Sequence, residues 1–349
     1  RTYDALNRDT RLQATSGYDV LQQNDARDNV VAVTDPAGLQ TRYEYDGLDN
    51  LRMLDSPDAG SSSSDYDPAG NTIHHVSAQG IATTTVYDAL NRPTALHFDD
   101  SSLDIHYHYD SGTYGLGRLT GVTDASGHTT LEHDHRGNLL RRSWDTGSRV
   151  VATSFGYDLA DRLTHITYPS GRQVHYLYDA AGQVIRVTTL DANGNSQTIA
   201  DGITYQPFGP VRGLTLGNGT PMVNAHDRAY RLTALRHGSV LDLEHHYDAA
   251  GNMTGINDRL DSRRSQSMGY DALNRLVAAN GIYGSLAYSY DATGNRLAIS
   301  SGAVVDTYNY GGDSHRLLNT GNWAFEYDDS GNLIARFARD NPDGDGTFY

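Results

Sequence analysis

Polar and apolar residues alternate in short runs along the whole chain. In residues 40–45, Thr41, Tyr43 and Tyr45 share one face of an extended segment, and Gln40 and Arg42 share the other. Alternation with a period of two is typical of a β-strand with one covered face. The same alternation recurs at residues 104–109, 285–290 and 323–327. Because no segment has a convincing helical stripe, the pattern predicts an all-β protein.

The predicted strands are separated by two kinds of turn that repeat in step. The first is a hexapeptide, here called the Tyr-Asp corner, which reads YDALNR at Tyr270–Arg275 and recurs unchanged at Tyr3–Arg8 and Tyr87–Arg92. Its Asp starts a turn, and Asn or Gly near its end supplies a positive φ. Corners begin every 21 residues from Tyr3 to Tyr87, and at similar steps beyond. A hexapeptide copied this often is a building unit and not one active site.

The second kind of turn, here called the half-period turn, lies about midway between corners. Asp35–Gly38, Asp124–Gly127, Tyr168–Gly171 and Asp191–Gly194 are examples. Asp-x-x-Gly is typical of a short hairpin loop that ends in a left-handed residue. Each repeat is therefore predicted to be a strand, a turn, a strand and a turn. The residues assigned a structural role in the corners are Tyr3, Asp4, Tyr45, Asp46, Tyr66, Asp67, Gly70, Tyr87, Asp88, Tyr157, Asp158, Tyr178, Asp179, Gly182, Tyr247, Asp248, Gly251, Tyr270, Asp271, Tyr290, Asp291, Gly294, Tyr327, Asp328 and Gly331.

Repetition on this scale predicts one long antiparallel sheet. About sixteen repeats give roughly thirty strands, and at about 4.8 Å per strand the ribbon would be about 140–150 Å long. A twisted sheet of that length curls, and a single ring of roughly 45 Å diameter would be too wide for side chains to fill. We therefore expect one repeat domain over residues 1–349 that coils into a hollow shell, with an open or tubular sheet as the alternative. Residues 197–224, which contain Pro207 and Pro210, depart from the pattern and predict a specialised turn or an edge contact.

Composition agrees with a thin structure and excludes several functions. Only 38% of residues are hydrophobic and the mean hydropathy is −0.57, which is lean for a solid core. The net charge of −16 disfavours nucleic acids and anionic membranes, and no apolar run is long enough to cross a bilayer. There is no cysteine, so disulfides and thiolate chemistry are excluded. All 27 basic residues are arginine, which stacks on tyrosine and forks onto carboxylates.

Candidate chemistry is sparse. The repeated tyrosines could stack on sugars, but their periodicity favours a structural ladder. Asp104, His106, His108 and Asp110 share one strand face and could bind zinc or nickel, although Asp110 belongs to a corner. The chain has no Gly-x-Ser-x-Gly elbow, phosphate loop or His-Glu-x-x-His motif, so we expect it not to be an enzyme.

One segment near the end of the sequence matches the opening of a calcium loop. Asn341, Asp343 and Asp345 occupy the first, third and fifth positions of such a loop, and Gly346 occupies the sixth. We therefore expect no cofactor, with calcium at this segment as the exception that the sequence leaves open. The alternative is that residues 340–349 form an exposed acidic tail or linker.

The corners, their spacing and the segment TYQPFGPVRGLTLGNG at Thr204–Gly219 resemble the YD repeats of the RHS family. The resemblance covers nearly the whole chain. It implies a spiralling β-sheet that closes into a hollow shell, the β-cocoon, which in toxin members encloses a variable C-terminal toxin. Toxin members end the shell in a core with paired Asp-Pro motifs, where self-cleavage releases the toxin. Asp35-Pro36 and Asp67-Pro68 are only repeat turns here, and because the chain starts within a repeat we expect a fragment that supplies shell wall.

The resemblance favours a structural role, which is to wall off a toxin or other cargo polypeptide until delivery. It implies secretion from a bacterium and, as partners, the enclosed cargo, further YD repeats and a secretion spike or adaptor. Two alternatives are an extracellular adhesion or carbohydrate-binding module, and a fibre that assembles through edge strands. We expect neither nucleic-acid binding nor membrane insertion.

Overall fold

The computed structural model describes residues 1–13, 18–207, 209–339 and 347–348, and it confirms an all-β fold. Two single-turn 3-10 helices, Ser101–Leu103 and Ser262–Arg264, are the helices of this part of the chain. The strands are β1 Thr2–Tyr3, β2 Asp9–Gln13, β3 Asp19–Asn24, β4 Val30–Thr34, β5 Gln40–Tyr45, β6 Leu51–Ser56, β7 Gly60–Tyr66, β8 Thr72–Val76, β9 Ala82–Tyr87, β10 Pro93–Phe98, β11 Ile105–Tyr109, β12 Leu119–Asp124, β13 Gly127–His133, β14 Leu139–Asp145, β15 Val150–Tyr157, β16 Leu163–Thr167, β17 Gln173–Tyr178, β18 Val184–Leu190, β19 Ser196–Tyr205, β20 Val211–Leu216, β21 Pro221–His226, β22 Leu232–His237, β23 Leu241–Tyr247, β24 Met253–Asp258, β25 Gln266–Tyr270, β26 Leu276–Gly281, β27 Gly284–Tyr290, β28 Arg296–Ser301, β29 Val304–Thr307, β30 Asn309–Tyr310, β31 Leu317–Asn319, β32 Trp323–Tyr327, β33 Leu333–Ala338 and β34 Thr347–Phe348.

Within each of two sheets, the strands form a meander in which each strand pairs with the next along the chain. A 29-stranded sheet holds β1 to β29, and a five-stranded sheet holds β30 to β34. Within the described residues no pairing joins β29 to β1, so the long sheet is open. Because strand direction alternates in a meander, turns of one kind share one edge of the ribbon. The Tyr-Asp corners therefore lie on one edge and the half-period turns on the other.

The chain divides into two compact units. The first, unit 1, comprises Arg1–Arg92, Leu96–Ser101 and Ser267–Tyr349. The second, unit 2, comprises Pro93–Ala95 and Ser102–Gln266. Unit 1 thus combines the two ends of the sequence, whereas unit 2 is nearly continuous.

A bulge follows the Tyr-Asp corners at regular intervals. In the pair β5–β6, Glu44 lies opposite Met53 and Tyr45 lies opposite Leu51, so that Arg52 is the extra residue. The same shift at the corner tyrosine occurs in the pairs β7–β8, β17–β18 and β27–β28. A bulge interrupts the ladder and leaves backbone groups without a partner in the neighbouring strand. These groups are accessible to side chains of the next repeat.

The sheet has no solid core, as the lean composition predicts. Among the described residues, no large side chain is less than 2% exposed, and the buried apolar residues are mostly alanines such as Ala32 and Ala335. Most strand residues on the tyrosine side are half-buried. Stability must therefore come from many repeated local contacts rather than from one packed interior.

The atypical segment continues the meander as a specialised turn. Strand β19 has irregular register between Asp201 and Thr204, and Gly202 has a φ of 59°. The turn that follows keeps the hydrogen bonds of a corner, because the Gln206 amide donates to the Pro210 carbonyl at 2.9 Å. Pro207 lies within this turn and not within a strand. The two prolines are therefore accommodated where no ladder hydrogen bond is lost.

Candidate functional site

The aspartate organises each Tyr-Asp corner. In Tyr45–Asn50, Asp46 Oδ1 accepts hydrogen bonds from the amides of Leu48 at 2.8 Å and Asn50 at 3.0 Å, and Oδ2 accepts one from Asn50 Nδ2 at 3.0 Å. The fifth residue of a corner is left-handed, with φ of 60° at Asn274 and 94° at Gly251. One carboxylate thus satisfies the donors of a tight turn, which explains why Asp is copied with the repeat. The same three contacts occur around the corner residues Asp67, Asp88, Asp134, Asp158 and Asp227, and also around Asp191 of a half-period turn.

These hydrogen bonds keep the corner carboxylates ionised. The side-chain hydrogen bond from Asn138, together with backbone donors, lowers the pKa of Asp134 from 3.8 to about 2. The Arg92 side chain and amide likewise lower the pKa of Asp88. Donors that bond the charged form favour that form. Asp88 and Asp134 are therefore fixed anions at neutral pH and not candidates for a general acid.

The last residue of a corner links it to the next corner. Arg8 Nε donates to Asp4 Oδ2 at 2.7 Å, and its Nη1 donates to the Asp25 carbonyl at 2.6 Å. Asn at the same position makes an analogous bridge, since Asn29 Nδ2 donates to Asp49 Oδ1 at 2.7 Å. The bridges connect corners along one edge of the ribbon. Equivalent arginine bridges start at Arg162, Arg231 and Arg275.

The hydroxyl of the corner tyrosine donates a hydrogen bond to the backbone of the preceding repeat. Tyr178 Oη donates to the Leu163 carbonyl at 2.8 Å, and the Arg162 guanidinium lies 4.8 Å from the centre of the Tyr178 ring. The accepting carbonyl belongs to the residue where the strand after the previous corner begins, next to its bulge. Tyr178 therefore contacts two strands and one arginine, and Tyr247 and Tyr290 likewise lie beside Arg231 and Arg275. The same hydroxyl contact is made by Tyr66, Tyr87, Tyr109, Tyr157, Tyr205, Tyr247, Tyr290, Tyr310 and Tyr327.

In unit 1, corners and half-period turns from distant parts of the sequence meet. The Arg316 guanidinium donates from Nε and Nη2 to the Asp58 carbonyl at 3.0 and 2.8 Å, and the His315 amide donates to Asp58 Oδ1 at 2.6 Å. His315 Nε2 also pairs with Asp35 Oδ2. These partners are 257 to 280 residues apart in sequence. We call this the turn-on-turn contact.

The turn-on-turn contact is close enough to require glycine. A Cβ added to Gly60 would lie 2.5 Å from the Asp329 carbonyl oxygen, and one added to Gly331 would lie 2.3 Å from the Asp58 oxygen. Arg316 also donates to the Asp328 carbonyl at 3.0 Å, so one guanidinium joins both stretches. Backbone therefore packs directly on backbone at this edge.

Sequence reasoning placed the corner residues but missed the turn-on-turn contact. The corner at Tyr310–Arg316 reads YGGDSHR, which is one residue longer than the hexapeptide and lacks its Tyr-Asp pair, and that departure was the available signal. His315 and Asp58 carry no periodic signature. Their proximity depends on how the ribbon curves, which the local pattern does not encode.

The proposed metal sites have different outcomes. In the described part of the chain, no three His, Cys, Asp or Glu side chains are grouped to hold a metal, so the set Asp104, His106, His108 and Asp110 does not assemble. His108 Nε2 instead lies 3.0 Å from Thr123 Oγ1. The calcium candidates Asn341, Asp343 and Asp345 lie outside the described residues, and calcium binding there stays a prediction. In the same described ranges, no helix has the length and apolar character needed to span a bilayer.

Comparisons with known proteins agree with the repeat. The RHS Repeat family model matches residues 25–60, 66–102, 114–148, 133–173 and 157–196, and the Teneurin YD-shell model matches residues 222–341. The chain therefore belongs to the RHS/YD-repeat family.

Curated relatives are much longer than this chain. The tRNA3(Ser)-specific nuclease WapA of Bacillus spizizenii is 25% identical over 301 residues, which are 84% of this chain and 10% of WapA. The probable deoxyribonuclease RhsA of Dickeya dadantii is 30% identical over 183 residues, which are 46% of this chain and 12% of RhsA. The chain thus spans about a tenth of the length of these relatives.

A solved structure shares the fold. The crystal structure of TcdB2-TccC3 aligns with a TM-score of 0.83 over 96% of this chain and 22% of that chain, at 18% identity. The alignment shows that the strand meander described above is the fold of a Tc toxin component.

Proposed function

We propose that this chain is a wall segment of a shell that encloses a cargo polypeptide, such as a toxin, until it is delivered outside the producing bacterium. The observation that carries the proposal is the turn-on-turn contact. It joins turns about 260 residues apart edge to edge, so that two edges of the ribbon meet directly at this place in unit 1. A surface without slots is what enclosure of a polypeptide requires.

The chemistry of the corners supports a structural role. The tyrosine hydroxyls donate to backbone carbonyls, the carboxylates are held ionised by amides, and the arginines are bound to neighbouring corners. Because these side chains already bond other parts of the sheet, their role is to stabilise the wall. The names of WapA and RhsA are those of nucleases, and we assign their activities to parts of those proteins that this chain does not cover.

Enclosure is the proposed mechanism. A cargo kept behind the wall is out of reach of proteases and of its targets, and the half-buried polar surface limits adhesion to the cargo. On this proposal, the partners are the cargo polypeptide, further YD repeats and the machinery that exports or delivers the particle.

Limited proteolysis of the natural polypeptide that contains this chain tests the proposal. Mass spectrometry should show a segment outside residues 1–349 that resists protease while the wall is intact. Arg316→Ala removes the guanidinium that joins Asp58 to Asp328, and should expose that segment. Arg186→Ala is the matched control, because Arg186 binds Asp201 across two strands and lies outside the turn-on-turn contact. Equal cleavage of the segment in the wild type and in denatured protein would refute enclosure.

A further inference from the structure

Identical corners in unit 1 have different surroundings. Leu6 and Leu90 occupy the fourth position of two YDALNR corners and are 66% and 70% exposed. Leu273 occupies the same position of the third and is half-buried. Since the hexapeptide is the same, the difference reports what lies against the corner.

The contrast extends to most corners of unit 1. The fourth residue is exposed in the five corners at residues 3–8, 24–29, 45–50, 66–71 and 87–92. It is half-buried in the later corners at residues 270–275, 290–295 and 327–332, where it is Leu273, Thr293 and Ser330. In the seven-residue corner at 310–316, the fourth residue Asp313 is exposed, whereas Ser314, which lies two residues before the end of the corner, is buried. Two of these later corners make the turn-on-turn contact through His315, Arg316 and Asp328. We call the first five corners the free corner edge.

The half-period turns of unit 1 also differ in exposure, but here the early turns are covered and the later turns are exposed. Pro36 and Pro57, which lie in half-period turns that meet later corners, are covered. Ile282, at the half-period turn between β26 and β27, is 75% exposed, and Val304, beside the next one, is 71% exposed. The turns at residues 281–284 and 301–304 are here called the free half-period edge. Exposed leucines on one edge and exposed Ile and Val on the other are apolar surface that water disfavours.

Unit 1 therefore contains one interface in which a corner edge contacts a half-period edge, and it also has one exposed edge of each kind. The occupied version shows what each half binds: a corner edge binds a half-period edge. We propose that the free corner edge of one copy of this chain binds the free half-period edge of a second copy. Contacts between two different patches are heterologous, so association proceeds head to tail and builds chains or rings larger than a dimer.

The net charge of the chain makes this association depend on salt concentration. Each copy has a net charge of −16, so two copies repel each other at low ionic strength. Added salt screens this repulsion and leaves the apolar and backbone contacts in place. Association should therefore increase with both protein and salt concentration.

Sedimentation velocity of the 349-residue chain and two blocked variants tests the proposal. One variant, Leu6→Asp/Leu48→Asp/Leu90→Asp, blocks the corner edge, and the other, Ile282→Asp/Val304→Asp, blocks the half-period edge. Each should remain monomeric where the wild type associates, and an equimolar mixture should form heterodimers and nothing larger. Leu177→Asp/Val223→Asp is the control, because both residues are about half exposed within strands; it should associate like the wild type.

Three results would overturn the proposal. They are a wild type that stays monomeric at high protein and salt concentration, blocked variants that assemble as the wild type does, and a mixture that does not pair. The second would instead identify pairing through exposed strand edges. If circular dichroism shows that an Asp variant is unfolded, the same positions changed to Ser repeat the test with a smaller perturbation. Because the readout is self-association, its failure leaves the enclosure proposal intact.

Discussion

At the scale of the residue, the corner aspartate determines the geometry of the repeat. Its two oxygens accept two backbone amides and one side chain in corner after corner, as at Asp46. The role needs an ionised carboxylate, since a protonated one loses acceptor capacity. The repeated Tyr-Asp pair, which resembles a ligand-binding signature when read once, is thus a turn with its own hydrogen-bond acceptor.

The low pKa of Asp134 predicts a pH dependence of stability. A carboxyl whose pKa is lowered in the folded state stabilises the fold above its unfolded value of 3.8, and that contribution disappears as pH falls through about 2. Asp134→Asn should therefore melt at a lower temperature than the wild type above pH 4, and the gap should close towards pH 2. Thermal melts across this range check the result, with the exposed Asp99→Asn as control. A gap that does not change with pH would contradict the assigned role.

The hydrogen bond of the corner tyrosine hydroxyl predicts a small loss of stability on its removal, and this loss should not depend on pH. Tyr178→Phe keeps the ring beside Arg162 but removes the donor to the Leu163 carbonyl. The free energy of unfolding should fall by about 1 kcal/mol, the usual contribution of one such hydrogen bond. Tyr3→Phe, at a tyrosine that is 52% exposed, should have little effect in the same urea titration. Equal losses at the two positions would show that the hydroxyl contact is not what the corner uses.

Several residue-level features of the corner could be predicted from the sequence. The Asp, the left-handed Asn or Gly and the period follow from local turn chemistry, which six residues encode. The bridges from Arg8 to Asp25 and from Tyr178 to Leu163 were not predicted, because they depend on the bulge that brings neighbouring repeats into register. The use of arginine without lysine was the available hint, since a guanidinium fork can donate to two corners at once.

At the scale of the element, hairpins in unit 1 are joined by their turns as well as by their strands. Strand ladders link each strand to the next in sequence, whereas the turn-on-turn contact links residues far apart. The alternation predicted the strands correctly, and the all-β prediction is confirmed. The sequence did not indicate which turns meet, because Asp58 and Arg316 look like ordinary repeat residues.

The close backbone contact at Gly60 predicts that alanine is more destabilising at this position than at Gly38. Gly60→Ala places a Cβ 2.5 Å from the Asp329 oxygen at a φ of 70°, whereas Gly38→Ala meets nothing within 4 Å at a φ of 88°. Both substitutions carry the cost of a left-handed Ala, so the difference between them isolates the turn-on-turn contact. Gly60→Ala should lower the melting temperature more than Gly38→Ala does. Equal decreases would mean that the two stretches do not pack as described.

At the scale of the whole molecule, repetition replaces a packed core. Among the described residues no large side chain is less than 2% exposed, and each repeat is held by its neighbours through corners and ladders. A structure of this kind gains area without needing an interior, which suits a wall. Family membership, the shared fold of TcdB2-TccC3 and the edge contact in unit 1 support the enclosure proposal together.

The most direct test of the account is whether Asp35 and His315 lie side by side in one molecule. The chain has no cysteine, so Asp35→Cys/His315→Cys supplies the only two thiols, and a short bismaleimide can report their proximity. Mass spectrometry of the purified monomer should find the 35–315 crosslink at high yield in folded protein and none after unfolding. A folded monomer that gives only singly attached reagent would contradict the turn-on-turn contact and the wall built on it.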